Sequence, residues 1–228
     1  MPSVMSNSSN RLSELERKID RLEKYTTIRD GVWIKKYLEE IDEFIIDYGW
    51  MGNKELSARI EHDNLMMCRA MAKENFLEFC RRVALQIEGL SEWGLSKVKN
   101  RDPGLIQGSW EKVQDNKESR WRGDYEKEEQ PGRISGMRSM DTLEMSFCVY
   151  AGRNYMDGGD IREGFFCLIK SFKIRNIASH REDEEEITKR MSKDTEKFYN
   201  RREKKYGEIN KYWKKLREKI IEEHTGRF

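Results

Sequence analysis

Only three prolines occur in 228 residues, Pro2, Pro103 and Pro131, and the two internal ones fall in one short stretch. A proline inside a helix removes a backbone hydrogen bond and clashes with the preceding turn, so a helix-rich chain needs long intervals free of it. Two such intervals flank the stretch that holds Pro103 and Pro131, and each can be helical throughout. The placement predicts an all-α fold, a bundle of amphipathic helices.

Apolar spacing fills in the order. Leu12, Leu15, Ile19 and Leu22 recur at intervals of three and four, and Val32, Trp33, Tyr37, Leu38, Ile41, Phe44, Ile45 and Tyr48 make a second amphipathic pattern that Gly49 and Gly52 break. A longer pattern runs from Leu56 to Trp93, with Phe76, Cys80, Val83, Ile87 and Leu90 on one face, as a core helix requires. Residues 100–138 hold both internal prolines, five glycines and eight charges of each sign, which predicts a long loop or partly disordered insertion. Within it Trp110, Arg120, Trp121 and Arg122 have the chemistry to stack on bases, although docking back onto the domain is the expected role of such tryptophans.

Met140, Leu143, Phe147, Tyr150 and Ala151 predict a short helix. Asp160, with Glu163 three residues on, is expected to cap the next one. After the acidic run Glu182 to Glu186, apolar residues from Ile187 to Ile220 repeat near 3.5 spacing over about forty residues, which at ~1.5 Å per residue predicts a helix about 60 Å long. A helix of that length is expected to protrude or to pair with a partner chain. The expected division is an N-terminal helical extension over 1–54, a helical domain over 55–182 with the insertion at 100–138, and a charged C-terminal helix over 183–228.

Composition excludes several functions. Charged residues make up 38% of the chain, but 44 Lys and Arg face 42 Asp and Glu, so a globally basic nucleic-acid binder is not indicated. A local basic patch is present, because Lys170, Lys173, Arg175 and Arg181 lie between Phe165 and Arg181 with no acidic residue among them. Cys68, Cys80, Cys148 and Cys167 are scattered in apolar runs, as buried thiols of a reducing compartment are, and no Cys-x-x-Cys pair suggests zinc. The N-terminus carries no basic region followed by an apolar core, and no apolar run is long enough to span a membrane, which together predict a cytoplasmic protein. Phosphate-loop and Gly-x-Ser-x-Gly patterns are absent.

The chemistry concentrates in Phe172-Lys173-Ile174-Arg175-Asn176-Ile177-Ala178-Ser179-His180, an apolar helical run ending in an arginine, an amide and one of only three histidines. Arg175 offers a planar cationic fork to a phosphate, and His180, with an ordinary pKa of about 6.5, can carry protons near neutrality. The blander roles are a helix C-terminal dipole contact for His180, and for Arg175 an ion pair with Asp160, Glu163 or the run Glu182 to Glu186. Five residues at about 100° each set His180 roughly 140° around the helix from Arg175, whereas Asn176 and His180 share a face. One helix alone does not converge Arg175 and His180.

Arg175-Asn176-Ile177-Ala178-Ser179-His180 resembles the signature of the HEPN superfamily, an arginine followed by a polar residue and, four to six positions later, a histidine near a helix end. The segment from Glu74 to Leu90 is similar to that family's first core helix, and the resemblance covers about 55–182. It implies a HEPN-like helical bundle and a metal-independent endoribonuclease without cofactors, acting as a homodimer whose two motif helices build one site. In that role Arg175 holds the non-bridging phosphate oxygens, His180 moves protons and Asn176 orients the phosphate or the imidazole. Lys170, Lys173, Ser179 and Arg181 would contact RNA. Proteins of this kind act as toxins or effectors of prokaryotic antiviral defence, which implies an antitoxin or sensor partner. The competing expectation is a non-catalytic HEPN-like module that binds RNA, a nucleotide or a protein.

Overall fold

The computed structural model describes residues 48–120, 134, 137–150, 159–178 and 184–226. Eight α-helices and no strand lie among them, so the described fold is all-α, as the proline-free intervals predict. In chain order these are α1 (Lys54–Ala72), α2 (Phe76–Arg101), α3 (Pro103–Arg120), α4 (Ser139–Tyr150), α5 (Gly159–Ala178), α6 (Glu184–Arg190), α7 (Lys193–Tyr199) and α8 (Arg202–Thr225). They belong to one unit that begins at Ile46, and the patterns read between Leu12 and Ile45 lie outside the described residues.

The centre is α2, which packs against α1, α3, α4, α5 and α8. Its Phe79, Cys80, Val83, Ala84, Ile87, Leu90, Leu95 and Val98 are wholly buried, so the face read from the sequence is the core face. Each of the Phe, Val, Ile and Leu side chains among them contributes about 1.5–3 kcal/mol relative to exposure. Gly89 lets α1 approach closely, since a Cβ there would already touch Ile60 and Leu56 at 3.4 Å. Arg82 ties the same pair together, its Nη1 reaching Asp63 of α1 at 2.7 Å and its Nε reaching Glu78 at 2.5 Å.

Three sequence expectations are corrected here. The pattern from Leu56 to Trp93 is two antiparallel helices, not one, because Glu74 takes a left-handed φ of 55° and Asn75 then caps α2, its side chain accepting from Glu78 N–H at 3.0 Å. The first part of the expected loop at 100–138 is the helix α3, in which Pro103 occupies the first position, where its missing N–H costs nothing. Asp102 starts that helix by accepting from Leu105 N–H at 3.0 Å. Trp110 is 1% exposed and packs in the interior, while Trp121 and Arg122 lie outside the described residues.

The third correction concerns the C-terminus. Residues expected to form one helix of forty form α6, α7 and α8, broken at Met191–Ser192 and at Asn200–Arg201. Ser192 caps α7 by accepting from Thr195 N–H at 3.3 Å. The longest piece, α8, has 24 residues, or about 36 Å of length, and it packs on α2, α4 and α5 instead of protruding. Ile209, Trp213 and Ile220 on it are fully buried, and the Trp213 indole N–H donates to Gln86 Oε1 of α2 at 3.4 Å. This segment is a wall of the bundle. No described helix is long and apolar enough to cross a membrane.

Candidate functional site

The motif helix α5 is clamped along one side. Phe165, Leu168, Ile169, Phe172 and Ile174 are buried against α2, α4 and α8, so the helix cannot roll without opening the core. Asp160, expected as its N-cap, lies inside the first turn and pairs with Lys215 and, at 3.6 Å, with Lys211 of α8. Those contacts pull its carboxyl below the usual range, with the Lys215 hydrogen bond first among the causes.

At the opposite end of α5 stand the residues of interest. Arg175 forms an ion pair with Glu88 of α2, while its Nη1 donates to the Asn176 side-chain oxygen at 3.0 Å. Its guanidinium centre lies 5.9 Å from the Phe172 ring, its side chain is 21% exposed, and its Nε is buried with no hydrogen-bond partner. Glu92, one turn beyond Glu88, has its carboxyl raised above the ordinary value by burial first, then by the Glu88 charge, with Arg59 of α1 opposing. Arg175 is therefore held to α2 through one acid, Glu88.

Neither Asp160 nor Glu163 is the partner of Arg175, and Glu88 was not foreseen. Its one trace in the sequence is that Glu88 and Glu92 stand four apart, where like charges on a helix repel and call for a nearby cation. Lys170 is also engaged, with Asp194 of α7 at 2.9 Å and the Phe198 ring at 5.4 Å. Asp194 is held below the usual carboxylate range by Lys170 first, with Lys173 and Lys197 adding to the effect. Lys173 and Asn176 are exposed. The surface near the motif is thus cationic with interspersed acids. Ser179, His180 and Arg181 lie outside the described residues.

No group of histidine, cysteine and carboxylate side chains among the described residues could hold a metal ion. None of the four cysteines forms a disulfide and all are buried, and burial pushes the Cys68 and Cys167 thiols up to about 12, which removes them as nucleophiles. A cleft of about 540 Å³ opens between α4, α5 and α8 beside Phe147, Ile161, Gly164, Tyr212, Leu216 and Lys219, at the end of α5 remote from Arg175.

No family model, curated protein or solved structure matches the chain.

Proposed function

We propose that the protein is a metal-independent endoribonuclease of HEPN type, in which Arg175, Asn176 and His180 act on one phosphodiester and two copies of the chain complete the site. The observation that supports this reading is the arrangement of Arg175 and Asn176. They are joined by a 3.0 Å hydrogen bond at the polar end of a helix whose other side is locked into the core. A cationic fork on a helix locked into the core suits stabilisation of a charge-accumulating phosphorane, once the bound phosphate has taken over part of the Glu88 pairing.

In the proposed step the RNA 2′-oxygen attacks the adjacent phosphorus as the bond to the 5′-oxygen breaks, leaving a 2′,3′-cyclic phosphate and a free 5′-hydroxyl. His180 accepts the 2′-hydroxyl proton or protonates the leaving oxygen, and the second copy supplies the other function. Arg175 holds the non-bridging oxygens, which on this reading displace part of its pairing with Glu88, and Lys170, Lys173, Ser179 and Arg181 steer the strand. DNA, lacking the 2′-hydroxyl, is not cut. A role as a toxin or defence effector restrained by a partner protein is part of the same proposal.

A second reading is favoured by one observation, the ion pair of Arg175 with Glu88, which already neutralises the guanidinium. On that reading the bundle binds RNA, a nucleotide or a protein without cleaving anything. Purified protein incubated with single-stranded RNA in excess chelator separates the two. Fragments ending in cyclic phosphate are expected, with a loss of at least about 10²-fold for His180→Ala. Cleavage surviving undiminished in that variant would end the nuclease assignment, and binding without cleavage by the unaltered protein would establish the second reading.

A further inference from the structure

Between Lys189 and Lys204, seven Lys and Arg stand against three Asp and Glu, in a chain whose totals are 44 against 42. Farther along α8 cations are matched by acids, Lys215 by Asp160 and Lys219 by Glu222. Around α7 they are not. Lys193, Lys197 and Arg201 are exposed, as is Lys173 of α5, and none of them forms an ion pair with a described residue. The helix that carries the first two is fixed in place. Thr195, Phe198 and Tyr199 are buried where α7 packs on α5 and α8, and the Phe198 ring lies 5.4 Å from Lys170 Nζ and 5.1 Å from Lys205 Nζ. Lys193 and Lys197, four residues apart, share the outward side of that helix, and Arg201 follows just beyond its end.

Asp194, whose side chain is 75% exposed, stands where the two helices meet, paired with Lys170 and acted on by Lys173 and Lys197 as well. The cations of α5 and α7 therefore form one surface with a net positive charge, on which a polyanion gains from every unpaired lysine. That surface leads to the motif, because Asn176 follows Lys173 by three residues on the same side of α5 and holds Arg175 at 3.0 Å. We propose that Lys173, Lys193, Lys197 and Arg201 form a phosphate track that grips the sugar-phosphate backbone of a single-stranded RNA beside the linkage at Arg175. The proposal rests on the reading of RNA as the ligand, but not on cleavage. Contacts of this kind set the register of a strand and carry no base information, so the track accepts any sequence. Asp194, the exposed acid in its midst, weakens the grip.

The test uses the full chain carrying His180→Ala, so that RNA is not consumed, and follows the fluorescence anisotropy of a short dye-labelled single-stranded RNA over a series of sodium chloride concentrations. Each phosphate contact on a single strand adds about 0.7 to the slope of log affinity against log salt. Lys193→Gln, Lys197→Gln and Arg201→Gln combined are expected to lower that slope by about 2, and Lys173→Gln alone by about 0.7. Asp194→Asn is expected to tighten binding several-fold, a change of sign that damage to the fold would not produce. Lys211→Gln, on the part of α8 that pairs with Asp160, is the control and should leave the slope unaltered. RNA binding with an undiminished slope in the combined variant would overturn the track and leave the Arg175 reading standing. An equal loss in Lys211→Gln would overturn it too, since binding would then follow net charge alone. No RNA binding by the His180→Ala chain at any salt concentration would remove the RNA reading together with the track.

Discussion

Single side chains set several tolerances of this bundle. A Cβ on Gly164 would stand 2.6 Å from Tyr212 Cδ1, a ring that cannot withdraw without disturbing α8, so Gly164→Ala is expected to cost about 1–3 kcal/mol by urea unfolding. A similar constraint places Gly94 beneath the Tyr150 hydroxyl, which meets His224 Nε2 at 3.1 Å. The His224 ring packs edge-on to Trp93 at 4.8 Å. Burial lowers its pKa from the ordinary value; Glu223 and a hydrogen bond to the Gly94 backbone oppose the shift, and Arg101 and Lys97 reinforce it. As pH falls through about 6.5 the unfolded chain takes up this proton before the folded one does, so stability is full above that pH and declines below it, until the folded imidazole titrates as well. Thermal midpoints between pH 7.5 and 5 should therefore fall less steeply in His224→Gln than in the parent. His224 carried no signal of this role in the sequence, because its partner Tyr150 is 74 residues away.

At the scale of elements, the apolar periodicity was legible and the breaks were not. Phe76, Cys80, Val83, Ile87 and Leu90 read correctly as one buried face of α2. The stops at Lys73–Asn75 and Met191–Ser192 contain neither glycine nor proline, and they are made by a left-handed Glu74 and by the side-chain caps of Asn75 and Ser192. Pro103 misled in the opposite direction, since a proline that breaks a helix interior is well placed at a helix start. Asn75→Ala is expected to lower stability by about 1 kcal/mol, measured by denaturant unfolding, because the Glu78 N–H loses its acceptor. Of the candidate site, Arg175 and Asn176 were found from the sequence as a pair at a helix end, and the observed hydrogen bond between them gives that pairing a geometry. Glu88 escaped notice because it is supplied by a different helix, 87 residues earlier.

For the whole molecule, α8 is the closing wall. It presents Trp213 to α2, buries Arg217 and Ile220 in the interior and holds Asp160 of α5 through Lys211 and Lys215. A chain ending at Asn200 would expose that interior at once. Such a truncation is expected to lose cooperative thermal unfolding and to bind hydrophobic dyes, observable by circular dichroism and dye fluorescence, whereas a separate appended helix would be removed without either effect. The central position of α2 has a further consequence. With α1, α3, α4, α5 and α8 all leaning on it, no neighbour can detach without uncovering part of the same rod. Partial opening is then costly everywhere along its length, and the amide protons of residues such as Val83 and Leu90 should trade with solvent only when the entire assembly comes undone at once.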